Sequence, residues 1–224
     1  GETVMKYPSP DASSYEESLD RCRALIDKWK GHPLIVPAIA PHAVYTCTPE
    51  VLTACVKLAL ETDTIVHFHV SETADEVQTM RNEHGIPVVP YIRRYGMLDT
   101  RLIAAHCVHV DQGEIRSLMH AGAGIAHNPS SNLKLASGFA PVAKMMELGC
   151  NVGIGTDGTA SNNDLDFFEE IRLASFIAKP TAEDPTALPA KQVLAMATII
   201  GAKAIHLGDL IGSLEPGKRA DLIL

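Results

Sequence analysis

Ten histidines are spread through this 224-residue chain, and the informative ones stand where short apolar runs stop. His42 follows Pro41. His69 is followed three residues later by Glu72, and His106 closes the run Leu102–Ala105. His127 opens His127-Asn128-Pro129, and Asp157 sits in Gly155-Thr156-Asp157-Gly158. Four histidines, a glutamate and an aspartate make the imidazole and carboxylate mixture that zinc takes. Each also has a purely structural reading. His127 reads as a hydrogen-bonded core residue, and Asp157 between glycines can make an Asx turn. His67 and His69 share one face of a strand, and spacing leaves open whether His67 is a ligand, a residue behind one or a buried neighbour. His32, His84, His120 and His206 read as solvated or capping residues. The glycine-rich Gly153–Gly158 stretch is no GxGxxG and no lysine follows it, so it is weak evidence for phosphate binding.

These residues need a frame that brings strand ends together, and the hydrophobic pattern supplies one. A helix is expected from about Ser14 to Lys30, with Ser13/Glu16 or Ser14/Glu17 as a capping box and Gly31 as its stop. The run Leu34–Ile39 reads as a strand covered on both faces. Thr48-Pro49-Glu50 opens the next helix, which runs to about Leu60. The alternation then repeats, with strands over 64–70, 102–107, 124–127 and 151–156. Helices are expected over 73–84, 111–120, 140–148, 165–178 and 189–206. Pro180 to Pro189 reads as a loop between helices. Five strands, each followed by a helix, require parallel pairing with right-handed crossovers. The fold class is therefore α/β, either a doubly wound sheet or part of a barrel. In a parallel sheet all C-terminal strand ends lie on one side, where active sites are built.

Composition narrows the function. Nineteen Lys and Arg against 27 Asp and Glu leave a net charge of −8, which argues against a nucleic-acid partner. No run reaches the roughly 18–20 apolar residues of a membrane span, and residues 1–10 carry no signal-peptide pattern. Five cysteines, odd in number and without CxxC pairing, suit free thiols in a reducing cytoplasm.

Read together, Ala40–Cys47 (APHAVYTC), His69–Thr73 (HVSET), Ala104–His109 (AAHCVH), His127–Gly138 (HNPSSNLKLASG) and Gly155–Asn163 (GTDGTASNN) resemble the amidohydrolase superfamily. The closer resemblance is to the branch of 5-methylthioadenosine/S-adenosylhomocysteine deaminases and the related triazine chlorohydrolases. Gly212–Leu224 (GSLEPGKRADLIL) is similar to that family's return into a small β-domain. The resemblance implies a (β/α)8 TIM barrel, represented here by strands four to eight. Residues 1–210 would be the partial barrel and 211–224 the start of the C-terminal segment. It also implies one divalent metal, zinc first and Fe2+ as the alternative, with His69 and Asp157 as ligands. His69 is preferred to His67 because the family pattern is His-x-x-Glu, here His69 to Glu72. Glu72, His106 and Asp157 would be catalytic. His42, Glu72 and Ser161 would contact a small heterocycle or nucleoside.

The implied reaction is hydrolytic deamination of an adenine-type nucleoside. Its nearest alternative is dechlorination or deamination of a triazine-like or other N-heterocycle. A rival from another class is a metal-free scaffold that kept the fold and lost the site. A homo-oligomer is compatible with either. The HxH pair that the family carries on its first strand is not found ahead of Leu34, so a fragment lacking the N-terminal part is expected, inactive in isolation. Strands without their barrel partners leave open edges and an uncovered apolar face. The 224 residues expressed alone are expected to aggregate or fold poorly, and a soluble product with a cooperative melt would contradict this.

Overall fold

A computed structural model of the chain describes residues 1–223; Leu224, the last residue of the closing motif, lies outside the described residues. The strands are β1 (Glu2–Val4), β2 (Ala38–Pro41), β3 (Ile65–Val70), β4 (Leu102–His106), β5 (Gly124–His127) and β6 (Asn151–Ile154). They form one parallel sheet in chain order, with helices between them. The architecture is α/β, as the alternation of elements requires, and is that of a partial TIM barrel, as the family resemblance implies.

The backbone divides into two compact units, Gly1–Val70 with Asp75–Ala104, and Ser71–Ala74 with Ala105 onward. In the first, α1 (Tyr15–Trp29) and α2 (Pro49–Thr62) pack against each other, and both pack on β2. Ser14 caps α1 by accepting from Glu17 N–H, while the Glu17 carboxylate reaches back to Ser13 rather than to Ser14. Thr48 caps α2 as expected, accepting from Val51 N–H with Pro49 at the first helical position. The unit continues through α3 (Ala74–His84), α4 (Val88–Arg94) and a 3-10 turn at Met97–Asp99. Ile39, Leu52, Phe68, Ile92 and Met97 form its fully buried core. Burying each such side chain contributes roughly 1.5–3 kcal/mol.

Two expectations are corrected in this unit. Among the described residues the sheet holds six strands rather than five, because β1 is only three residues long and carries no readable periodicity. The strand expected over 34–39 begins at Ala38, and Leu34, Ile35 and Val36 are exposed instead of covered. The cause is local. His32 Nδ1 accepts the N–H groups of both Leu34 and Ile35 at 3.1 Å, and this turn takes away the donors a strand would need.

The second unit contains α5 (Gln112–His120), α6 (Pro129–Lys134), α7 (Val142–Glu147), α8 (Thr159–Asn162), α9 (Phe167–Ala182), α10 (Ala190–Met196) and α11 (Ile199–Ala204). Asp111 and Glu114 form a reciprocal capping box on α5. Three readings change here. The helix expected over 189–206 is two helices, broken at Thr198 (φ −128°, ψ −105°). Pro180 lies in the last turn of α9 rather than in a loop. His127–Gly138, where no helix is expected, contains the helix α6.

The sheet in this unit is seated by glycines. β5 and β6 pair from Gly124↔Asn151 to His127↔Ile154, and α11 lies directly on them. A Cβ on Gly153 would stand 3.0 Å from Gly201 Cα, and one on Gly124 would run into the Ala204 carbonyl. Backbone contact this close leaves no room for a methyl group. Gly124→Ala should therefore destabilise the protein by about 1–3 kcal/mol or more, through overpacking. Chemical denaturation of the variant checks this, and an unchanged midpoint would mean that α11 can move aside freely.

Candidate functional site

In the first unit the parallel register of β2 and β3 places His42 and His69 at the same end of the sheet. Their ring centroids are 4.9 Å apart. The His42 carbonyl accepts two hydrogen bonds, from His69 N–H at 3.1 Å and from His69 Nδ1 at 2.6 Å. A neutral His69 then carries its proton on Nδ1 and keeps a lone pair on Nε2. That is the arrangement of histidines whose other nitrogen binds a metal. His42 is itself anchored, with its N–H on the Val4 carbonyl at 3.1 Å and its Nδ1 2.9 Å from Thr46 Oγ1. The overlooked strand β1 thus holds the backbone that orients His69. His67, two residues earlier on the same face, is exposed.

In the second unit Glu72, His106 and Asp157 converge. His106 Nε2 lies 3.8 Å from Glu72 Oε2 and 3.9 Å from Asp157 Oδ2. The imidazole is almost completely buried, whereas the two carboxylates keep 16% and 24% side-chain exposure. A proton leaving or reaching Nε2 therefore faces two acceptors on the open side.

Each member is held by a side chain from residues 131–137. Ser131 Oγ donates to Asp157 Oδ2 at 2.7 Å. His106 Nδ1 donates to Asn132 Oδ1 at 2.9 Å, which directs Nε2 toward the carboxylates. Ser137 Oγ donates to Glu72 Oε1 at 3.3 Å. The other Asp157 oxygen accepts the N–H of the next residue, Gly158, at 2.7 Å, whereas an Asx turn closes on the N–H two residues on.

The backbone here is strained where the chemistry would be. Ser71, His106, Cys107 and Asp157 all adopt positive φ, at 50°, 70°, 48° and 60°. Non-glycine residues in that region cost of order 1–3 kcal/mol each and persist only where their surroundings over-determine them. Ser161 lies half-buried on α8, four residues past Asp157, with its N–H on the Gly158 carbonyl.

Among the described residues, no three His, Cys, Asp or Glu side chains form a cluster that would hold a metal by itself. Taken singly, one side chain in each unit has donor chemistry that suits a divalent ion. His69 offers Nε2 with Nδ1 already engaged, and Asp157 is an oriented, partly open carboxylate.

Ser131, Asn132 and Ser137 lie within the His127–Gly138 motif, but residue type alone marks none of them as functional. The available signal was the density of small polar residues in a stretch flanked by strand and helix. His127 is 2% exposed, and its Nδ1 has no partner among the described residues, so the reading as a hydrogen-bonded core residue fails at that atom. Burial, followed by the charge of neighbouring His106, depresses its pKa to about 4. Folded His127 stays neutral while the unfolded chain takes up a proton near pH 6.5. The stability tied to it is complete above about pH 6.5 and is lost as pH falls toward 4, by up to about 3 kcal/mol. Urea unfolding from pH 7.5 to 4.5 should follow this loss, and His127→Gln should flatten it. A parallel profile for the variant would place the acid sensitivity elsewhere.

Comparison with known proteins adds a second line of observation. The amidohydrolase family profile matches residues 2–224. A curated relative from Syntrophobacter fumaroxidans, a 5-methylthioadenosine/S-adenosylhomocysteine deaminase, is 44% identical over 224 residues, which is 100% of this chain and 51% of the relative. A zinc-bound adenosine deaminase from Xanthomonas campestris superposes with a TM-score of 0.96 at 43% identity, covering 99% of this chain and 50% of that one. A zinc complex of atrazine chlorohydrolase from Arthrobacter aurescens gives 0.86 at 27% identity, covering 98% and 51%. The chain spans about half the length of the curated relatives it matches.

Proposed function

The chain belongs to the amidohydrolase family, and we propose that the protein hydrolytically deaminates an adenine-type nucleoside of the 5-methylthioadenosine/S-adenosylhomocysteine class. The observation that carries the reading is the approach of Glu72 and Asp157 to the same nitrogen of His106. Relatives at 42–45% identity that carry the deaminase name support it over ring dechlorination, for which the similarity is 27%.

His69 and Asp157 are the residues we assign to hold a divalent metal, zinc in the two neighbours described above. When bound, such a metal supplies hydroxide at neutral pH by lowering the pKa of water from 15.7 to about 7. The chain's own residues do the rest. Asp157, oriented by Ser131, accepts the proton that the attacking water gives up. Glu72, fixed by Ser137, hands a proton to the ring nitrogen beside the attacked carbon, which makes that carbon more electrophilic. His106, with Nδ1 donating to Asn132, offers Nε2–H to the oxygen when its ring carries both protons, as negative charge develops there. Water is consumed, ammonia leaves and the amino-bearing carbon becomes a carbonyl. His42 and Ser161 are assigned to contacts with the nucleoside. All five cysteines are buried and none forms a disulfide, which suits a reducing compartment. No helix of the described residues is long and apolar enough to cross a membrane.

The test is ammonia release from 5′-methylthioadenosine and S-adenosylhomocysteine by the full-length protein, with bound metal counted in parallel. One divalent metal per chain is expected, with turnover of at least one nucleoside. Glu72→Gln should lower kcat by about 10²–10⁴-fold, and Asp157→Asn should abolish turnover and weaken metal retention. A metal-loaded protein that spares both nucleosides but releases chloride or an amine from a triazine would move the assignment to that chemistry. A protein without metal or turnover would favour the scaffold reading.

A further inference from the structure

Glu170, on α9, is 1% exposed and lies outside the converging group of Glu72, His106 and Asp157. Its Oε2 accepts the backbone N–H of Ser130 at 3.0 Å, and its Oε1 accepts Asn162 Nδ2 at 2.6 Å. Neither donor is charged, and no Lys, Arg or His pairs with this carboxylate among the described residues. A buried carboxylate held only by neutral donors is expensive, and apolar packing would usually serve stability better. What the two donors are attached to gives it a purpose.

Ser130 belongs to the first turn of α6. That helix lacks a local cap, because Asn128 at the cap position makes no side-chain capping bond. The orphan N–H of its first turn is met instead by a residue 40 positions downstream. The next two residues of α6 are Ser131, on Asp157 Oδ2, and Asn132, on His106 Nδ1. Asn162 belongs to α8, and its Nδ2 also donates to the Thr156 carbonyl at 2.8 Å, one residue before Asp157. One carboxylate therefore ties down both the helix that orients Asp157 and His106 and the turn from which Asp157 projects. A shift of about 1 Å in such supports can cost on the order of 10²-fold in rate.

We propose that Glu170 is a positioning residue for this site. It acts through Ser130 on the Ser131 and Asn132 hydrogen bonds, and through Asn162 on the backbone of Asp157. The proposal rests on the assignment of Asp157 and His106 made above, but two of its tests do not need a substrate.

Glu170→Gln keeps the side chain's shape and replaces one acceptor oxygen with an NH2 group, so one of the two donors loses its partner. In the full-length protein, amide exchange across residues 128–137 should rise while exchange in α2 stays unchanged. Zn2+ affinity by chelator competition should fall about 10–100-fold. With the substrate found active, kcat should fall by about the same factor, with KM within about twofold. Combined with Ser131→Ala, the losses should be less than multiplicative, because both changes act on Asp157 through α6. Should Glu170→Gln not fold, Asn162→Ala, at a half-buried position, is expected to give the same loss of Zn2+ affinity through the Thr156 carbonyl.

A lowered Tm with wild-type exchange at 128–137 and wild-type Zn2+ affinity would make Glu170 a packing element and overturn the proposal. Strictly multiplicative losses with Ser131→Ala would do the same. Absence of nucleoside turnover in the wild type would defeat the deaminase reading alone, since exchange and Zn2+ affinity would still decide the role of Glu170.

Discussion

Two carboxylates face one imidazole nitrogen, and much of the second unit is arranged to keep them there. Glu72 and Asp157 approach His106 Nε2 to within 4 Å. They would separate if their positions were left to flexible side chains. Three hydrogen bonds prevent that, donated by Ser131 to Asp157, by Ser137 to Glu72 and by His106 to Asn132. All three partners come from within one segment, residues 131–137, so the geometry depends on a single short stretch being correctly placed.

That placement rests in turn on backbone contacts that tolerate little change. Gly124 and Gly153 let α11 lie closely on β5 and β6. The left-handed residues Ser71, His106, Cys107 and Asp157 then turn the chain sharply at the sites where polar side chains must point away from the core. Their strain is affordable only because the strands behind them are buried and hydrogen-bonded. In the first unit the same logic appears on a smaller scale. The His42 carbonyl takes two hydrogen bonds from His69, and Val4 on β1 takes the N–H of His42.

The alternation of strands and helices was legible because burial imposes it. The capped starts at Ser14, Thr48 and Asp111 could be read from local residue types, since those bonds span only three residues. The residues at the strand ends, His42, His69, Glu72, His106 and Asp157, were visible because polar side chains abruptly follow apolar runs. Other features had no local signature. β1 is too short to show a period, and the apolar residues Leu34 to Val36 mimic a strand whose N–H groups His32 has already taken. The interruption at Thr198 splits what reads as one amphipathic helix.

The sequence by itself determined the α/β class, the family resemblance and the group of candidate chemical residues. These follow from hydrophobic period and from motifs whose parts lie close together in the chain. Only the tertiary structure decided which of those residues meet and what holds them. Ser131 reaches Asp157 across 26 residues, Ser137 reaches Glu72 across 65, and Glu170 reaches Ser130 across 40. Hydrogen bonds over such separations depend on the sheet register and on the seating of helices against it. No local pattern of residue types encodes them, because the same serine or glutamate would look identical in a solvated loop.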